Sequence, residues 1–211
     1  MATDWVTISS LATAAGTLVL ACATFASVRS ANRAARVAEE SLLAGIRPLL
    51  VPSRVEDAPL KVGFIDDHFV RTPGGGGTAE VIGDAIYLTL SLRNAGNGIA
   101  VLHGWRFEPR AGFDAAERPA VGDFRRLTRD LYIAAGAVGF WQGALRNRQE
   151  PEWDALARRV DEGERFMVDL LYGDHQGGQR VISRFSFLSR TDAGWMATVS
   201  RHWNVDRPDP R

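Results

Sequence analysis

The side chains best suited to chemistry are Asp66-Asp67-His68, His103, and the Asp174-His175 pair in the tract YGDHQGGQR. A carboxylate beside an imidazole can hold a divalent cation or take a proton from water. Two such pairs brought together by strand-end loops would suit a metal-assisted hydrolase. Their spacing, however, matches no defined ligand pattern. Asp174 to Gly178 is a run of turn-forming residues between two apolar strand patterns, which predicts a solvated hairpin loop. Asp66-Asp67-His68 reads as charge on an edge strand, a placement that discourages sheet-to-sheet pairing. His103 shares the Val101/Trp105 face of a strand pattern, which predicts a hydrogen-bonded core histidine. No serine or cysteine sits in a nucleophile context, because the single cysteine, Cys22, lies in the most apolar stretch. No catalytic residue, metal ligand or cofactor-binding residue is therefore assigned, and no cofactor is expected.

One more tract has the look of a site. NAGNG, residues 94–98, places a Gly-x-Gly pair directly after an apolar strand pattern. A phosphate-cradling loop works because a helix N-terminus follows it and aims free N–H groups at the anion. Here IAVLHGWRF follows, a strand pattern, so the tract is predicted to turn the chain between two antiparallel strands, with a bulge.

Composition narrows the classes further. The chain has 211 residues, 45% of them hydrophobic and 24% charged, enough to bury one globular core. Lys plus Arg and Asp plus Glu each count 25, so the net charge is zero and nucleic acid is excluded as a partner. A lone cysteine permits no disulfide framework and no cysteine zinc site within one chain, which suits a reducing compartment for the downstream domain. Lys61 is the only lysine, a usage associated with GC-rich bacterial genomes.

The elements that must position these residues begin with residues 5–28, which contain no charged side chain and reach about 30 Å as a helix, the thickness of a hydrocarbon core. Ser9, Ser10, Thr13, Thr17 and Thr24 dilute the apolar residues, but their hydroxyls can bond back to the preceding turn. Trp5 stands at an interfacial position. Ala21-Cys22-Ala23 offers a small-x-small cleavage pattern, yet a signal peptide carries positive charge ahead of its apolar run, and here Asp4 precedes while Arg29, Arg33 and Arg36 follow. A transmembrane anchor is the expectation. The arginines place the N-terminus outside and the remainder in the cytoplasm, at the plasma membrane, with the lipid bilayer as first partner. Ser9, Thr13, Thr17 and Ala21 recur every four residues, a stripe through which two copies could self-associate.

Residues 29–46 continue as good helix formers, giving a juxtamembrane helix that ends at Gly45 and Arg47-Pro48. From 47 to 205 the period becomes two. Strands are expected at Leu49–Val51, Lys61–Val70, Ile86–Arg93, Ile99–Phe107, Leu131–Ile133, Val138–Leu145, Arg165–Tyr172, Arg180–Leu188 and Trp195–Trp203. The PGGGG run at 73–77 is expected to be a loop. Pro151 to Val160 carries Trp153, Leu156, Ala157 and Val160 at helical spacing, so one short helix interrupts the strands. Residues 206–211 have nothing to bury and are expected to fray. The fold expected is mainly β: an immunoglobulin-like antiparallel β-sandwich with one inserted helix and with Trp105, Trp141 and Trp195 in its core.

The span, the juxtamembrane helix, the "RPLL" strand start and the Asn94, Gly96, Gly98, Ala100 signature together resemble uncharacterised single-pass membrane proteins of actinobacterial type that carry an immunoglobulin-like domain. That resemblance implies a membrane-displayed domain and transfers no catalytic residue. The function expected is a non-catalytic binding or scaffold module on the cytoplasmic face, meeting an unidentified protein partner. The alternatives are the metal-assisted hydrolase and, with topology reversed, an extracellular binding domain.

Overall fold

Ala-, Leu- and Thr-rich sequence without Gly or Pro pairs runs as one uninterrupted helix in the computed structural model, which describes residues 2–109, 117–190 and 194–209. This helix, α1 (Ala2–Gly45), is long and apolar enough to cross a membrane by length and composition. Its hydroxyls are absorbed as expected. Thr13 Oγ1 donates to the Ser9 carbonyl at 2.9 Å, Thr17 to Thr13 at 2.8 Å and Thr24 to Leu20 at 2.8 Å. By its internal contacts the chain divides into two compact units, Met1–Ala44 and Gly45–Arg211.

The second unit is mainly antiparallel β. Its strands are β1 (Leu50–Pro52), β2 (Leu60–Gly63), β3 (Phe69–Thr72), β4 (Gly76–Ile82), β5 (Ala85–Asn94), β6 (Ala100–Glu108), β7 (Arg125–Ile133), β8 (Val138–Leu145), β9 (Phe166–Asp174), β10 (Arg180–Ser189) and β11 (Trp195–Asn204). One short helix, α2 (Trp153–Asp161), interrupts them. The two packed sheets expected from the pattern are instead one curled nine-stranded sheet in the order β1-β5-β4-β11-β10-β9-β6-β7, with β8 on the other side of β5, plus the separate β2–β3 hairpin.

Curling turns one face of the sheet inward on a single core. Leu88 and Leu90 of β5, Trp105 and Phe107 of β6, Trp141 of β8, Phe166 and Leu170 of β9, Phe185 and Phe187 of β10 and Trp195 of β11 are all buried there. Phe166 stacks on Phe187 at 4.6 Å and meets Trp195 edge-on at 4.9 Å. Each such side chain contributes about 1.5–3 kcal/mol through lost contact with water. Trp153, Leu156 and Ala157 of α2 close the same core, so the helical spacing read from the sequence is the packing face.

Four expectations are corrected by this arrangement. Lys61–Val70 is not one strand but the β2–β3 hairpin, with Asp66-Asp67-His68 in its turn and Asp67 at φ 59°. The glycine run is not all loop, because Gly76 and Gly77 open β4. A Cβ on Gly77 would lie 2.3 Å from the Thr89 carbonyl, and one on Gly76 would lie 2.4 Å from that of Trp195, so glycine there lets β4 fit between β5 and β11. Strand β6 does not alternate strictly. A bulge between Leu102 and Gly104 moves the inward set from Ala100 and Leu102 to Trp105 and Phe107, and leaves Val101 outside that core. Finally, the described part of the tail is tied down: Asp206 accepts from Arg180, and Asp209 Oδ1 accepts from the Asn204 amide at 2.7 Å.

Candidate functional site

The first Asp/His tract is consumed by packing around Tyr87. Asp66 Oδ2 accepts from the Tyr87 hydroxyl at 2.8 Å and from Arg146 Nε at 3.0 Å. Burial works against its charge, but those two donors prevail and hold the carboxyl below its ordinary 3.8. Burial and the adjacent carboxylate push the Tyr87 phenol up. His68 lies 4.3 Å from the Tyr87 ring and faces Glu80 Oε2 at 3.2 Å. Asp66 and His68 thus form a clasp fastening the hairpin to β5, while Asp67 is exposed in the turn.

The second tract is a turn, as its residue types predict. Asp174 Oδ1 accepts from the Gln176 and Gly178 amides at 2.7 and 3.2 Å, and His175 is exposed. Asp174 Oδ2 is buried without a partner among the described residues. His103, expected in the core, is instead exposed, thrown out by the β6 bulge. Its ring lies over Gly173, where a Cβ would come within 3.0 Å of Nε2. Partial burial, then the nearby Arg180, lowers its pKa below the ordinary 6.5, against the pull of Asp130 and Asp174.

The two tracts do not meet. Asp66 is bonded to Tyr87 near the start of β5, whereas Asp174 pairs with Ala100 beyond its end, with about 24 Å of strand between Tyr87 and Asn94. Among the described residues no group of three His, Cys, Asp or Glu side chains is arranged to hold a metal ion.

NAGNG proves to be a knot rather than a cradle. Asn94 is fully buried, and its amide uses both ends: Nδ2 donates to the Gly98 carbonyl at 2.6 Å and the Ile133 carbonyl at 3.0 Å, while Oδ1 accepts from the Leu49 and Gly96 amides at 3.1 and 3.0 Å. One side chain thus joins the entry to β1, the β5–β6 turn and the end of β7. Gly98 is required by close approach, since a Cβ would lie 1.7 Å from the Ile46 carbonyl oxygen.

Two features escaped the sequence reading. The outer face of β6, β9 and β10 carries a buried ion network: Arg184 Nε donates to Asp169 Oδ1 at 2.6 Å and its Nη2 to Oδ2 at 2.8 Å, while Arg106 Nε reaches Oδ2 at 3.1 Å. Glu108, itself buried, accepts from both Arg106 and Arg184, and the Arg184 guanidinium lies 5.0 Å from the Trp203 ring. The available signal was charge inside strand patterns: Arg106 and Glu108 two apart, then Asp169 and Arg184 amid apolar neighbours.

The second feature is a seam. Among the described residues β8 pairs only with β5 and β7 only with β6, so the edges of the curled sheet face each other without a ladder. They meet at the turn that joins them, where a Cβ on Gly139 would sit 2.8 Å from the Ile133 side chain. Further along, side chains span them: Arg129 Nη2 donates to Gln142 Oε1 at 2.7 Å, and its guanidinium lies 5.3 Å from the Phe140 ring. Beyond that the seam opens into a hollow of about 180 Å³ between residues 125–128 and 142–146, floored by Trp105 and Gly143.

No protein-family description, no curated protein and no solved structure matches this chain.

Proposed function

We propose that the protein is a membrane-anchored, non-catalytic binding or scaffold module that displays its β domain on the cytoplasmic face of the plasma membrane. One observation carries this reading: a single unbroken helix holds an uncharged stretch at 5–28 and, directly behind it, Arg29, Arg33 and Arg36. Arginines on that flank are retained on the cytoplasmic side, which puts the N-terminus outside. The non-catalytic part is supported by the two Asp/His tracts lying apart, with Asp66 and His68 held in a clasp and Asp174 in a turn. Self-association through the Ser9, Thr13, Thr17 and Ala21 stripe, and kinship with single-pass bacterial proteins bearing an immunoglobulin-like domain, belong to the same proposal.

A fluorescent reporter that matures only in the cytoplasm, fused to the C-terminus, tests it. The expected result is fluorescence in intact cells from a fusion that sediments with membranes and is released only by detergent. A dark fusion overturns the orientation, and intact protein in the detergent-free soluble fraction overturns the anchor.

A further inference from the structure

We infer that the seam between β7 and β8 is a docking site for an extended acidic segment of a partner protein, which would add as a strand to the free edge of β8. The inference rests on the binding-module reading above and names the surface and the partner chemistry.

The backbone supplies the first argument. At one end of the β5–β8 ladder the Asn94 amide donates to the Ala137 carbonyl at 3.1 Å, and the register then runs without a shift from Arg93↔Val138 to Ile86↔Leu145. Antiparallel strands alternate, so the residues in phase with Ala137 bond to β5, whereas Val138, Phe140, Gln142 and Ala144 turn their N–H and C=O groups away from it. Those groups face the seam. On the opposite wall β7 leaves its own partner: Leu102 pairs with Leu131 and Gly104 with Arg126, so residues 127–130 take no part in the β6 ladder. Unladdered edges that face each other across a hollow form a template for an incoming strand.

Charge selects the occupant. Arg125, Arg126 and Arg146 line the hollow, and no acidic residue does. Arg125 is held by Glu150 and Glu152 at 2.5 Å each, and Arg146 by Asp66 at 3.0 Å. Among the described residues Arg126, which is exposed, has no carboxylate partner, and Arg129 donates to the neutral Gln142. A strand with carboxylates on alternate positions would supply the anions these guanidiniums lack while its backbone pairs with Gln142 and Ala144. Its intervening side chains would be small, because the Trp105 floor is buried against Gly143, where a Cβ would come within 2.8 Å of the ring, and lies beneath the Arg125 guanidinium, 5.0 Å from the ring.

The experiment uses the full chain in detergent micelles and a fluorescein-labelled peptide alternating Glu and Val, with a Lys/Val peptide as control. Saturable binding of the acidic peptide alone is expected. Arg126→Ala with Arg129→Ala should weaken it about tenfold, and Ala144→Pro, which removes an outward N–H and leaves the β5 ladder intact, should weaken it by a similar factor. Unchanged circular dichroism and melting identify the variants as folded; should Ala144→Pro unfold, a peptide N-methylated at alternate residues tests the same backbone bonds from the other side. Absence of saturable binding overturns the site. Binding that ignores Ala144→Pro and N-methylation overturns strand addition and leaves only surface attraction, and concentration-dependent dimers that exclude the peptide assign the seam to a second copy. Micelle binding is independent of topology, so these results fail separately from the reporter experiment.

Discussion

The centre of the sheet and its seam are both rich in arginine, and they use it in opposite ways. In β9 and β10, Asp169 and Arg184 are almost wholly removed from water and hold each other in a two-pronged pair, with Glu108 and Arg106 completing the set. In β7, Arg126 and Arg129 are exposed and hold no carboxylate among the described residues. A guanidinium with a desolvated partner is part of the scaffold, whereas one without a partner is free to recognise something else. The sharpest test of this contrast is Asp169→Ala, which removes the carboxylate that takes both prongs of Arg184 and leaves Arg184 and Arg106 to share Glu108. Unfolding of the full chain in micelles by urea, followed by tryptophan fluorescence, should show a loss of about 3–5 kcal/mol. A loss under about 1 kcal/mol would mean that water enters the network and that centre and seam do not differ in kind.

Asn94 governs where the seam is closed. It ties the Ile133 carbonyl at the end of β7 to the β5–β6 turn, close to the point where β7 and β8 diverge. Asn94→Ala leaves two amides and two carbonyls without that side chain, and the same urea experiment should register about 2 kcal/mol. Hydrogen exchange should accelerate first at residues 131–139, ahead of the centre of the sheet. Uniform acceleration across β9 and β10 would show that the two regions open together.

Much of this contrast was invisible in one dimension. The strand pattern at 86–93, the amphipathic spacing of Trp153, Leu156 and Ala157, and the helix stop at Gly45 were legible because each is a local period or a local breaker. The joining of the strands into one sheet was not legible, because the pairing of β4 with β11 depends on a glycine run whose meaning is set by the Thr89 and Trp195 backbones far along the chain. The bulge at His103 likewise reverses inside and outside with no local signal beyond the following glycine. Arg184 and Arg126 show the same limit for the site: Arg184 fell in an expected strand and Arg126 ahead of the expected Leu131–Ile133, in what is the start of β7, and nothing local to either tells that Asp169 stands beside Arg184.

Arg180, near the beginning of β10, is an intermediate case. It is partly exposed and paired with Asp206, whose carboxyl this guanidinium holds below the ordinary 3.8. Because the folded-state pKa is depressed, the pair contributes its full stabilisation above 3.8, and that contribution is lost as pH falls through the lowered value. Asp206→Asn should therefore cost up to about 1 kcal/mol at neutral pH, with the difference from the parent protein shrinking to nothing at the acid end. A difference that persists in acid would assign the effect to packing of the tail rather than to charge.

The smallest effect is expected at Arg126. Its side chain is exposed and has no ion pair among the described residues, so Arg126→Ala should change urea stability by no more than about 0.5 kcal/mol in either direction. The same substitution at Arg184 would remove both prongs of a buried pair. Measured side by side, the two substitutions separate arginines that the sheet needs from arginines that it displays. If Arg126→Ala proved as damaging as Asp169→Ala, the seam would be structural, β7 would depend on that side chain for its place beside β6, and the docking reading would lose its charge argument. If Arg126→Ala instead raised stability slightly, that sign would fit relief of like-charge crowding among Arg125, Arg126, Arg129 and Arg146, the crowding that an acidic strand is expected to neutralise.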